Sequence, residues 1–77
     1  MLTDIKNEAH LLAIKTVMEL IVKFDKILID AENIVKSSKR EEFIVQNPIT
    51  LHESAYNWAV KLLTEIGDLD TLEKYLT

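Results

Sequence analysis

Apolar residues recur along the first half of the chain at helical spacing. With Ile14 set as heptad position a, the a positions read Ile14, Ile21, Leu28 and Val35. The d positions read Val17, Phe24 and Ala31, and the g positions Ala13, Leu20, Ile27 and Ile34. The c and f positions from 16 to 33 read Thr16, Glu19, Lys23, Lys26, Asp30 and Asn33. A wide apolar face opposite a narrow polar one marks an amphipathic helix. Glu19–Lys23 and Lys26–Asp30 stand four apart on the polar side, each pair contributing about 0.3 kcal/mol. Thr3 or Asp4 supplies an N-cap, and Lys36, Lys39 and Arg40 complement the negative pole at the other end. The pattern predicts helix 1 over about residues 4–38. A turn at Asp25 or at Asp30-Ala31-Glu32-Asn33 is the alternative. It would close the chain as a monomeric bundle, but neither Gly nor Pro marks it.

The pattern lapses after Ser37-Ser38, and a loop is expected over 39–50. Within it, Phe43-Ile44-Val45 is either extended or a last apolar clasp, and Asn47-Pro48 is the clearest punctuation, since the residue before proline is driven out of the α region. Thr50-Leu51-His52-Glu53 has the form of a capping box. Ala55, Trp58, Ala59, Leu62 and Ile66 then follow at helical spacing, predicting helix 2 over about 51–66, with Gly67 as its stop. Asp70-Thr71-Leu72-Glu73 is a second capping box, and a short helix 3 is expected over about 69–76. The chain reads as one all-α domain, residues 1–77.

A continuous helix 1 of about 35 residues would run ~52 Å, against ~24 Å for helix 2. Helices 2 and 3 cannot cover its whole apolar face, and soluble monomers avoid large uncovered patches. A symmetric homodimer is therefore expected, with helix 1 packed on its twofold mate through Ile14, Val17, Ile21, Phe24, Leu28 and Val35.

Composition narrows this picture. One Gly and one Pro in 77 residues are too few for a multi-strand β fold. The absence of Cys excludes disulfides, thiol catalysis and Cys-based zinc sites. The start lacks a basic segment followed by an unbroken apolar one, and the most apolar window, 11–29, carries Lys15, Glu19, Lys23, Asp25 and Lys26. A cytoplasmic protein without a membrane span is expected. Frequent Lys, Ile and Asn suit an AT-rich bacterial or phage genome.

The net charge of −4 is unevenly spread, with +1 over residues 1–40 and −5 over 41–77. The acidic end offers Glu65, Asp68 and Asp70 to a basic partner. The balance argues against binding a nucleic-acid duplex. Lys36, Lys39 and Arg40 form the one basic cluster and are the alternative, a small nucleic-acid-binding regulator. Read as a helix-turn-helix, residues 51–76 would present Asp70 and Glu73 with a lone Lys74, the wrong sign for a groove.

Catalytic constellations are thin. His10 and His52 have no metal-ligand spacing around them. Asp4 and Glu8 share a helical face, but Glu41 and Glu42 diverge and no repeated E-x-x-E pair occurs. Ser37, Ser38 and Ser54 have no base at motif spacing, and Gly67 alone makes no phosphate loop. Trp58, between Ala55 and Leu62, reads as core rather than as an interface anchor. The expectation is a non-enzymatic helical interaction module without catalytic residues, metal or cofactor. It would act as an inhibitor, adaptor, antitoxin, immunity or assembly factor, as a homodimer or on a protein partner.

Overall fold

The fold is all-α. The computed structural model describes residues 4–76 and contains five helices and one 3-10 turn among them. Helix α1, Ile5–Phe24, begins at Asp4, whose carboxylate accepts from the amides of Lys6 and Asn7 at 3.1 and 3.3 Å. The alternative cap, Thr3, lies outside the described residues. Helix α2 is Leu28–Ser38 and helix α3 is Arg40–Gln46. Pro48 opens a 3-10 turn over Pro48–His52, where its missing N–H and fixed φ suit a first-turn position. Helix α4, Ala55–Glu65, is capped by Ser54 Oγ, which accepts from the Asn57 amide at 3.1 Å. Helix α5 is Leu69–Tyr75.

Helix 1 is not continuous over 4–38. It ends at Phe24 because Asp25 adopts left-handed backbone, φ 56°, and the amides of Asp25 and Lys26 both turn back to the Leu20 carbonyl. The chain reverses, and α2 packs along α1. Left-handed backbone costs a non-glycine residue about 1–2 kcal/mol, while burying one Val or Leu side chain stabilises by about 1.5–3 kcal/mol. The reversal buries Ala31 and Val35 in the same cluster as Ala13, Leu20 and Phe24, so packing outweighs the local cost. The predicted loop over 39–50 is also corrected. Lys39, again left-handed at φ 56°, redirects the chain into α3. Phe43-Ile44-Val45 is the helical clasp, with Ile44 buried and Val45 packed beside it.

Two caps differ from expectation. Thr50 donates its hydroxyl to the Asn47 carbonyl at 2.7 Å, and Glu53 pairs with Lys61, so helix 2 starts four residues late, at Ala55. Asp68, not Asp70, caps α5 through the Thr71 amide at 3.3 Å. Gly67 behaves as read. At φ 74° it sits where the Asp68 amide bonds back to Leu63 and its own amide to Thr64, a Schellman closure.

The core has two parts. One joins α1, α2 and α4 through Ala13, Leu20, Phe24, Ala31, Val35, Ala59, Leu62 and Leu63. Leu72, Tyr56 and Tyr75 close its rim, with Phe24 stacked on Tyr56 at 5.6 Å and meeting Tyr75 edge-on at 6.5 Å. The other joins Ala9, Leu12, Ile44 and Trp58. Fully buried Ala9, Ala31 and Ala59 let the helices approach closely. Thr16, buried among these apolar groups, satisfies its hydroxyl by donating to the Leu12 carbonyl at 2.7 Å.

Candidate interaction surfaces

The six residues expected on one self-association face are divided by the reversal at Asp25. Phe24 and Val35 are buried inside the chain's own core, and Val17 and Ile21 pack against it. Ile14 on α1 and Leu28 at the start of α2 remain exposed. The face consumed by the fold-back is the one the heptad frame selected.

The acidic residues are partly engaged. Glu65 forms an ion pair with Arg40, and Asp68 forms one with Lys26. Asp68 also accepts from the Thr71 hydroxyl at 2.8 Å. The bond from Lys26, reinforced by those from Thr71, holds the Asp68 carboxyl below the usual carboxylate range. Asp70 is exposed, with Glu73 on the same short helix. Glu65, Asp68 and Asp70 therefore do not form one open acidic patch.

The basic cluster is divided as well. Lys36 and Lys39 are exposed, but the Arg40 side chain retains only 16% of its exposure. Its guanidinium lies 5.0 Å from the Trp58 ring centroid and 5.4 Å from that of Phe43. Phe43 meets Trp58 edge-on at 6.2 Å, and Lys61 lies over the same indole at 5.1 Å. Arg40 thus locks α3 onto α4 rather than facing outward. Trp58, 2% exposed, is core as expected.

A cleft of about 510 Å³ opens between α1 and the α2–α3 corner, lined by His10, Ile14, Glu32, Lys36, Lys39 and Glu41 among others. His10 Nδ1 lies 3.1 Å from Glu41 Oε1 across it. Its lining carries charges of both signs, and among the described residues no three His, Asp or Glu side chains gather as metal ligands would. His52 is exposed at the end of the 3-10 turn.

The prominent surface features are apolar, and the heptad frame singled out only part of them, Ile27 and Leu28. Leu11, Met18 and Val22 point away from the core along α1, with Val22 68% exposed. They fall at e and b positions of the frame, directly opposite the buried face of Ala9, Leu12, Ala13, Thr16 and Leu20. A helix apolar on two opposite sides expects a cover on both, and apolar residues at e and b were the signal for this. A second surface lies at the α1–α2 corner. Ile27, Leu28 and Ile29 run consecutively at 63%, 58% and 64% exposure. The Lys26–Asp68 pair draws that corner toward the α4–α5 turn, where Ile66 and Leu69 are also exposed. Among the described residues no helix is long and apolar enough to cross a membrane.

Compared with family models, curated proteins and solved structures, the chain has no match.

Proposed function

We propose that this chain is a non-enzymatic helical interaction module that binds another protein through the apolar corner formed by Ile27, Leu28 and Ile29. The observation that carries this reading is the exposure of three consecutive large aliphatic residues at a chain reversal. Aliphatic side chains at a turn serve no local purpose, since turns favour Gly, Asn, Asp, Pro and Ser for their backbone geometry. Asp25 already supplies the left-handed residue the reversal needs. Leu69, next to Asp68 in the chain, is also exposed, and Lys26 and Asp68 neutralise each other beside the corner. This matches the apolar centre and polar rim of a protein-binding surface.

The acidic residues play a smaller part in this reading than the sequence suggested, because Glu65 and Asp68 are paired within the chain. A nucleic-acid role would lean on Lys36 and Lys39 alone, since Arg40 is committed to Trp58 and Glu65.

The test is capture from nuclease-treated lysate by the immobilised chain, followed by titration of the captured protein against wild type and an Ile27→Ser/Ile29→Ser variant. Stoichiometric capture abolished by the variant, with helicity unchanged, supports the reading. Capture indifferent to the variant rejects the corner. Retention that disappears with nuclease points to the basic residues instead.

A further inference from the structure

We infer that the outward face of α1 is a self-association surface that binds the same face of a second copy of this chain, with the two α1 helices antiparallel. This deepens the interaction-module reading, resting on its premise that exposed apolar surface is there to be covered, and names the occupant of a different surface from the corner.

The argument begins with the apolar stripe. Leu11, Met18 and Val22 stand seven and four residues apart, within a narrow sector of the helix, and Ile14 flanks them. Along one border of the stripe lie Glu8, Lys15, Glu19 and Lys23, in that order. None of these four is ion-paired with another described residue. Their signs alternate: minus, plus, minus, plus. Read in reverse, the series is its own complement.

Geometry decides the orientation. When two antiparallel helices are related by a twofold axis perpendicular to both, each helix border meets the same border of its mate. An axis passing between residues 16 and 17 sets Leu11 opposite the partner's Val22. It sets Met18 against the partner's Ile14 and Lys15. In that register Lys15 faces the partner's Glu19 and Glu8 faces the partner's Lys23, each pair occurring twice. A parallel arrangement, with its twofold axis along the helices, would instead set this border beside the mate's opposite border, where Asn7, Ile14 and Ile21 carry no charge, and would leave all four charges unanswered. Exposed ion pairs contribute little to affinity. They set direction here, while the apolar stripe and the shallow groove beside Met18 and Ala55 supply the contact.

The experiment uses the full chain and two single charge reversals, Lys15→Glu and Glu19→Lys. Analytical ultracentrifugation of the wild type should give twice the 8.9 kDa chain mass. Each reversal alone sets like charges together across the axis and should weaken dimerisation about tenfold or more. An equimolar mixture of the two variants should recover the dimer, because each supplies the charges the other lacks. Neither variant should recover alone, so recovery on mixing reports contacts between chains. Circular dichroism checks that each variant folds.

Orientation is read independently. The chain has no Cys, so Leu11→Cys and Val22→Cys introduce unique thiols. On mild oxidation the mixture should give the heterologous disulfide, while the two Leu11→Cys thiols of a homodimer stand about 16 Å apart along the axis and stay free. A wild type that remains at 8.9 kDa through hundreds of micromolar overturns the inference. So does a dimer indifferent to both reversals, or cross-linking dominated by Leu11→Cys homodisulfides. Loss of partner capture on changing Ile27 and Ile29, with the dimer intact, would bear on the corner alone.

Discussion

The Arg40 guanidinium lies over the Trp58 indole, 5.0 Å from its centroid, while pairing with Glu65 from the same helix as Trp58. One side chain at the first position of α3 therefore holds two points on α4. Neither Arg40 Nε nor Trp58 Nε1, both buried, has a hydrogen-bond partner among the described residues. The contact is consequently one of charge, ring face and packing. A partly desolvated cation–π contact contributes about 1–2 kcal/mol. The ion pair adds less, because Glu65 is half-exposed. Arg40→Ala is expected to destabilise the fold by about 2 kcal/mol, and Glu65→Gln by less than about 1 kcal/mol, in urea unfolding. Equal losses from the two would show that the ion pair, not the ring contact, dominates.

Besides the reversal at Asp25, two turns rest on left-handed backbone at different residue types. Gly67, φ 74°, has open space where a Cβ would stand. Gly67→Ala should therefore cost only the conformational term, about 1–2 kcal/mol, with no steric addition. Lys39 already bears that term at φ 56°. Lys39→Gly relieves it but widens the unfolded ensemble, and a net gain of about 0.5 kcal/mol is expected. Thermal unfolding of the two variants should move in opposite directions.

Ala59 is fully buried where α4 packs on α1. Ala59→Leu adds three carbons to a closed contact and should destabilise by about 1–3 kcal/mol. Ala55, at the border of α4 and only half-buried, is a control at which the same change should cost less. If both substitutions are tolerated alike, the α1–α4 packing described above is wrong.

Asp68 links the corner to the α4–α5 turn, and its carboxyl is held below the usual range chiefly by Lys26. A depressed folded-state pKa gives stability that is fully present above the unfolded carboxylate value of about 3.9. That stability is lost as pH falls through the lower folded value. The stability difference between wild type and Asp68→Asn should accordingly be flat near neutrality and narrow below about pH 4. A difference that stayed constant to strongly acidic pH would assign the effect to capping of the Thr71 amide alone. Raised salt should reduce it only modestly, since the pair is three-quarters shielded from solvent.

The helical class, the Gly67 stop, an N-cap at Thr3 or Asp4 and the core role of Trp58 were legible in the sequence, because each depends on the residue itself or on its near neighbours. Periodicity of 3.6 marks a helix wherever one face is buried, and only glycine adopts left-handed backbone without cost. The break at Asp25 was legible only as the alternative to a continuous helix, and the turn at Lys39 was not legible. Neither residue is a strong breaker, and both are left-handed only because the packing of Ala31, Val35 and Ile44 against α1 compensates locally unfavourable backbone. The same reversal decided which apolar face became core. Heptad counting ranked Ile14 through Val35 as an outer seam, yet the fold-back took Phe24 and Val35 inside and left Leu11, Met18 and Val22 outside. Sequence thus determined that α1 carries apolar residues on more than one side. Which side remains for a partner depended on where the chain turned, a choice made by long-range burial rather than by any local signal.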